Sequence, residues 1–161
     1  MKNRDVLKLW NGLIRLGNRK NTKFNFTVLR NKKIIKEIVE SLQAIQLQPI
    51  DGYEEFNKER EKLREKYAAR DENNNPIQIE VNGKLTYKLT DPDKFTKDCI
   101  ELLNSHTKYK DNLDIRITEM EEILNQDVDI NLVKISIDDL PDDLTEIEIS
   151  LIEEIICEKY T

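Results

Sequence analysis

Glycine and proline are scarce in this chain, four of each among 161 residues, and cysteine and tryptophan are scarcer still, at two and one. Each shortage removes a class of structure. A compact all-β domain needs turn residues about every 8–12 positions, which so few glycines and prolines cannot supply. Loops that cradle phosphates or hold a nucleophile on a sharp elbow are built on glycine, and no G-x-x-x-x-G-K-S/T, G-x-G-x-x-G or G-x-S-x-G occurs. Cys99 and Cys157 stand alone, without C-x-x-C or Cys/His spacing. They read as two small buried hydrophobes in a reducing compartment, and no zinc site is expected. The single histidine, His106, falls on an apolar helical stripe, which predicts a packed structural residue rather than a catalytic one. No run approaches the ~18 consecutive apolar residues of a membrane span. The start, Met1-Lys2-Asn3-Arg4-Asp5, leads into an amphipathic pattern instead of the apolar block of a signal peptide.

Charge is what the chain has in quantity. Charged residues make up 36% and apolar residues 38%, lean but above the depletion that marks a disordered chain. The length suits one domain. The net charge of −6 is a remainder of unequal parts. From Met1 to Gln48 there are 11 Lys/Arg against 3 Asp/Glu, a net of +8; from Pro49 to Lys110 the net is −1; from Asp111 to Thr161 there are 3 against 16, a net of −13. Either the basic end folds back on the acidic end, or the two ends face partners of opposite charge. The candidate basic surface is Arg4, Lys8, Arg15 and Arg19, continuing into Lys20, Lys23, Arg30, Lys32, Lys33 and Lys36; it could track phosphates. The candidate acidic surface is Asp138, Asp139, Asp142 and Asp143.

Periodicity assigns most of the chain to helices. Val6, Leu9, Trp10, Leu13, Ile14 and Leu16 cover one side of a first helix from Arg4 to about Leu16, capped by Asn3 or Asp5, with Gly12 as an unfavourable interior residue. After a polar connector from Asn18 to Asn25, a second helix begins near Phe26 or Thr27; its seam is Ile35, Ile38, Leu42 and Ile45, and Pro49 stops it. Asp51 and Glu54 read as a variant capping box for a third helix, with Tyr53, Phe56, Arg60, Leu63 and Tyr67 along one face, ending at Arg70-Asp71-Glu72 and an Asn73-Asn74-Asn75-Pro76 loop. Ile77, Ile79 and Val81 alternate before Asn82-Gly83, and Leu85, Tyr87 and Leu89 after it, which predicts a β-hairpin. A three-residue loop, Asn82-Gly83-Lys84, would pair Val81 with Leu85 and put all six apolar residues on one face. Asp91-Pro92 then starts a helix whose stripe, from Phe95 through Cys99, Leu102, His106, Tyr109, Leu113, Ile117 and Met120 to Leu124, is unbroken to about Asn125, with Asp111-Asn112 the weakest point. In the acidic tail, Val128 to Ile137 suggests a short strand or extended crossing, Asp138 to Asp143 a loop, and Thr145 with Glu148 a capping box for a last helix from Glu146 to about Lys159. The expected fold is mainly α with a small β-hairpin: one domain forming an antiparallel, coiled-coil-like helical hairpin with the β-hairpin at its tip.

Asp127, Asp129, Asn131 and Asp138 stand at positions 1, 3, 5 and 12 of a calcium-loop pattern, but Leu132 occupies the place of the turn glycine and Asp138 that of the bidentate glutamate. No metal or other cofactor is expected. Paired carboxylates do acid–base work only inside a cleft that separates their pKa values, and the pattern supplies no cleft, so a protein without enzymatic activity is expected.

An amphipathic N-terminal helix pair, a helix ending in Lys66-Tyr67, the stretch Asp71-Glu72-Asn73-Asn74-Asn75-Pro76, a short hairpin, Phe95 and Leu102-Leu103-Asn104 on the next helix, and an Ile/Asp-rich tail together resemble small proteins of unknown function encoded by tailed bacteriophages. The layout departs from them at Pro49 and in the long stripe beyond Asn104. The helix, hairpin, helix order is also similar in shape to the prefoldin type of coiled coil, a likeness that carries no activity with it. The resemblance implies a phage protein, in the host cytoplasm or the virion; the absence of catalytic motifs, the long helical arm and the −13 tail add the expectation that it binds another protein, phage structural or host, as a virion or assembly accessory or as an inhibitor of a host system, with self-association possible as well. A nucleic-acid binder using the basic helices, and an acidic mimic of nucleic acid that blocks a host nuclease, are the alternatives.

Overall fold

The computed structural model describes residues 1–158 as a mainly helical protein with a small antiparallel two-stranded sheet. It divides into two compact units, one joining Met1–Gln48 to Glu119–Thr161 and the other formed by Pro49–Thr118.

In the first unit, α1 (Asn3–Arg15) turns Val6, Leu9 and Leu13 inward at spacings of 3 and 4, as the stripe predicts. Lys2 rather than Asn3 or Asp5 occupies the cap position, while the Asp5 carboxylate accepts the Lys2 backbone N–H at 2.9 Å. Asn3 is instead drawn inside, donating through Nδ2 to the Ile123 carbonyl at 2.8 Å. α2 (Thr22–Gln46) starts about one turn earlier than expected, because Asn21 caps it by accepting the Phe24 N–H at 2.9 Å. Phe24, within the stretch expected to be a connector, is thereby delivered fully buried to the core. Burial of a side chain of this size is worth about 1.5–3 kcal/mol. On the expected seam, Ile35 and Leu42 are buried and Ile38 and Ile45 half-buried.

The tail completes this core with Ile135, Ile152 and Ile155, all fully buried. Residues 128–134, where the alternation suggests a short strand or extended crossing, belong to neither helix nor strand. The Val128 N–H meets the Met1 carbonyl at 2.8 Å, and Asn31 clamps Val133 with both amide atoms, Nδ2 to the carbonyl and Oδ1 from the N–H, each at 2.9 Å. A parallel pair of short strands follows, β3 (Ile135–Ser136) with β4 (Ile156–Cys157). The Thr145–Glu148 capping box forms as expected, but α6 (Glu146–Leu151) is only six residues long. A 3-10 turn over Glu153–Ile155 and β4 replace the rest of the expected helix, and Lys159, its expected end, lies outside the described residues. Pairing Ile156 with Ile135 requires extended backbone, and that pairing outweighs the helical period of the isoleucines.

In the second unit, Gly52, at φ +86°, caps α3 (Tyr53–Lys66) in place of the expected Asp51, whose carboxylate is taken by Lys108 at 2.8 Å. α3 packs antiparallel to α4 (Pro92–Ser105), with Phe56 beside His106 and Tyr67 beside Phe95. α3 stops at Lys66, earlier than Arg70, because Ala69 leaves the helix to donate to the Lys88 carbonyl and accept from the Ile77 N–H at the base of the hairpin. Asp71 organises the following loop by accepting the Asn73 and Asn75 N–H groups.

The hairpin pairs β1 (Gln78–Val81) with β2 (Lys84–Tyr87) in the register Val81 with Lys84, Glu80 with Leu85 and Ile79 with Thr86. The expected three-residue loop is thus corrected to a two-residue turn. Asn82 at φ +52° and Gly83 at φ +75° have the two left-handed central positions that a type I′ turn demands. The register separates Ile79 and Val81 from Leu85 and Tyr87, which lie on opposite faces.

Asp91 caps α4 by accepting the Lys94 N–H at 2.9 Å, with Pro92 at the first helical position. The long helix expected to run to Asn125 is two helices, α4 and α5 (Thr107–Asn125), interrupted at His106 (φ −87°, ψ +61°) and not at Asp111-Asn112. The His106 ring sits edge-on to Phe56 at 5.7 Å, so a tertiary contact rather than a helix-breaking residue marks the junction.

Candidate protein-interaction surfaces

The two charged ends of the chain meet inside the first unit. Arg4 bonds Glu121 at 3.1 Å, Lys8 bonds Glu153 at 2.7 Å, Arg19 bonds Asp143 at 2.9 Å and also Glu148, and Lys23 bonds Asp139. Helix α1 presents Arg4 and Lys8 one turn apart, whereas Arg19 lies beyond the helix end. Arg19 is held there by Asn25, which accepts its N–H and donates to its carbonyl. The Arg19 fork is the most enclosed of these contacts, with about four-fifths of the arginine and Glu148 side chains covered. Glu148 is held below its ordinary carboxyl range first by the Thr145 N–H and hydroxyl, with Arg19 adding to them. Exposed pairs contribute little one by one; as a set, these fix which segment lies against which.

Of the candidate basic surface, Arg4, Lys8 and Arg19 are therefore occupied by carboxylates of the acidic tail, and Arg15 remains exposed. Of the candidate acidic surface, Asp139 and Asp143 are held by Lys23 and Arg19, while Asp138 and Asp142 face solvent. Among the described residues no three His, Cys, Asp or Glu side chains are grouped so as to hold a metal ion, and no helix is long and apolar enough to cross a membrane.

The second unit has a thin aromatic core. Phe56 stacks on Tyr109 at 4.8 Å, and the Arg60 guanidinium lies 5.8 Å from the Phe56 ring. His106 is mostly covered and places Nε2 3.3 Å from Glu59. The Tyr67 hydroxyl donates to Asp98 at 2.7 Å, and that bond, followed by burial, pushes the phenol up to about 12. Burial likewise raises the thiol of Cys99, which is half-buried like Cys157. Between α3 and α4 runs an open, charged groove of about 630 Å³ lined by Glu59, Lys62, Lys66, Asp98 and Glu101 around Leu63 and Leu102.

Beside scattered ones such as Ile14, Ile100, Ile115 and Ile117, exposed or half-buried apolar side chains gather in three places. The hairpin shows Ile79, Val81 and Leu85, the last 74% exposed, on both of its faces. In the first unit, Ile137, Leu140, Ile149, Ile156 and Cys157 line an apolar cleft of about 320 Å³. The outward face of α2 shows Phe26 and Leu29, and Leu47 at its C-terminal cap is 82% exposed. Sequence reasoning missed this third surface, although Phe26 and Leu29 stand off the Ile35, Ile38, Leu42, Ile45 seam and signal it.

No family model, curated protein or solved structure matches this chain.

Proposed function

We propose that the protein is a non-enzymatic binding protein that engages another protein through its β-hairpin, as a virion or assembly accessory or an inhibitor of a host system in phage-infected cells. The observation that carries this reading is the hairpin's exposure: Ile79, Val81 and Leu85 stand in solvent on opposite faces of a two-stranded sheet. Isolated hairpins are marginal in water, and apolar residues displayed on both faces gain by being covered. In this reading the hairpin is the presented tip of the α3/α4 pair. The pairing of Arg4, Lys8 and Arg19 with carboxylates favours protein binding over the nucleic-acid alternative, since phosphates would first have to displace those partners.

Affinity capture from infected cells, combined with mass spectrometry of purified particles, tests the proposal. A partner or particle association held by the wild type and lost on Val81→Lys and Leu85→Lys, with circular dichroism unchanged, is expected. Recovery of no partner together with absence from particles overturns it.

A further inference from the structure

The outward face of α2 carries a pattern that its buried seam does not explain. Phe26, Leu29, Lys33, Lys36, Glu40, Gln43 and Leu47 follow one another at steps of 3 and 4, with Glu37 and Ala44 beside them, and all nine are exposed. This is a heptad-like stripe on the side of the helix opposite Phe24, Asn31, Ile35 and Leu42. Its chemistry is ordered along the axis: an aromatic and a leucine, then two lysines, then two glutamates, then alanine and leucine.

We propose that this face pairs with the same face of a second copy of the chain, the two α2 helices running antiparallel about a two-fold axis near their midpoint. A two-fold contact is self-complementary by construction. In the antiparallel arrangement the Lys33/Lys36 block of one copy meets the Glu37/Glu40 block of the other, and Phe26 and Leu29 meet Ala44 and Leu47. A parallel arrangement would set lysine on lysine and glutamate on glutamate, at a cost of several kcal/mol for like charges brought together. The stripe from Phe26 to Leu47 is roughly 30 Å long at 1.5 Å per residue, enough for three heptads of contact. Within one copy Lys36 reaches Glu40 at 3.5 Å, a pair exposed on both sides and free to exchange partners. An anionic membrane or nucleic acid suits this face less well, because Glu37 and Glu40 continue the same stripe. The pairing uses neither the hairpin nor its partner, so it stands or falls independently of the function proposed above.

The test needs no other protein: analytical ultracentrifugation of the purified full chain, alone and in mixtures of variants. The wild type is expected to dimerise reversibly with concentration. Lys33→Glu with Lys36→Glu makes the charged stretch wholly acidic, and Glu37→Lys with Glu40→Lys makes it wholly basic; each alone is expected to self-associate about tenfold more weakly or worse. An equimolar mixture of the two is expected to recover a dimer, which a misfolded variant could not give. Phe26→Ser with Leu47→Ser is expected to be monomeric with unchanged helicity. A wild type that stays monomeric into the high micromolar range overturns the proposal, as does an acidic variant that dimerises as tightly as the wild type, the behaviour of a parallel pair. Failure of the mixture to dimerise overturns it too, as does a monomeric wild type that binds phosphatidylserine vesicles or duplex DNA.

Discussion

Gly12 shows how a residue that is unfavourable locally is required by packing. Glycine inside a helix costs about 1 kcal/mol relative to alanine, yet a Cβ at this position would lie 2.7 Å from the Leu151 Cβ and 2.9 Å from the Leu151 carbonyl oxygen. Gly12→Ala, which raises helix propensity, is therefore expected to lower stability by about 1–3 kcal/mol through overpacking, measured by urea denaturation. Asn31 acts at the same scale by a different means: its buried amide supplies the donor and acceptor that a neighbouring strand would offer Val133. Tyr67 links a single residue to pH. Its pKa is raised in the folded protein, so the stabilisation is complete below the ordinary phenol value of 10.0 and is lost as pH rises through about 12. The thermal midpoint of the wild type should fall through that alkaline window more steeply than that of Tyr67→Phe, which has no phenol to ionise. Equal slopes would remove the Tyr67–Asp98 bond from the account.

At the scale of elements, turn chemistry decided the hairpin. The expected register assumed that six apolar residues must share a buried face; the strands are exposed on both sides, so no burial constraint opposed the preference of Asn-Gly for a two-residue turn. Gly83→Ala places a side chain at φ +75° and is expected to weaken the cross-strand Ile79–Thr86 contacts seen by nuclear Overhauser effects, leaving α3 and α4 helical. Caps with short-range chemistry were readable in advance: Asp91-Pro92 and Thr145 with Glu148 form as their spacing demands. Where long-range contacts acted, the pattern misled. The stripe through His106 keeps its period across the junction, so nothing in the spacing marks the break at His106, whose ring lies against Phe56. The isoleucines after Leu151 carry a helical period that strand pairing with Ile135 overrides. The charge asymmetry was visible in the sequence, but the partners within the seam, such as Lys8 with Glu153, are 145 residues apart and follow only from the fold.

For the whole molecule, the charge count of the chain is less informative than where the charges are spent. Segments of +8 and −13 partly neutralise each other across the first unit. Glu148, held below its ordinary value of 4.5, contributes stability that is present above that value and is lost as pH falls through its lowered one. Glu148→Gln should accordingly show a shallower acid limb than the wild type when the first unit is followed by Trp10 fluorescence, Trp10 being packed half-buried against that core. An unchanged acid limb would shift the explanation to other carboxylates.

The discontinuity of the first unit also sets an order of events during synthesis. Val6, Leu9, Leu13 and Phe24 leave the ribosome long before Ile135, Ile152 and Ile155, the residues that close over them, with the 70 residues from Pro49 to Thr118 made in between. At roughly 5–20 residues per second, α1 and α2 wait several seconds with their apolar faces uncovered and with Arg4, Lys8 and Arg19 not yet facing the tail carboxylates they bond in the folded protein. The second unit, continuous in sequence, can fold within that interval. A nascent chain halted before the tail would therefore display both the oily and the basic sides of the first two helices, a combination suited to capture by chaperones and by the RNA of the ribosome itself.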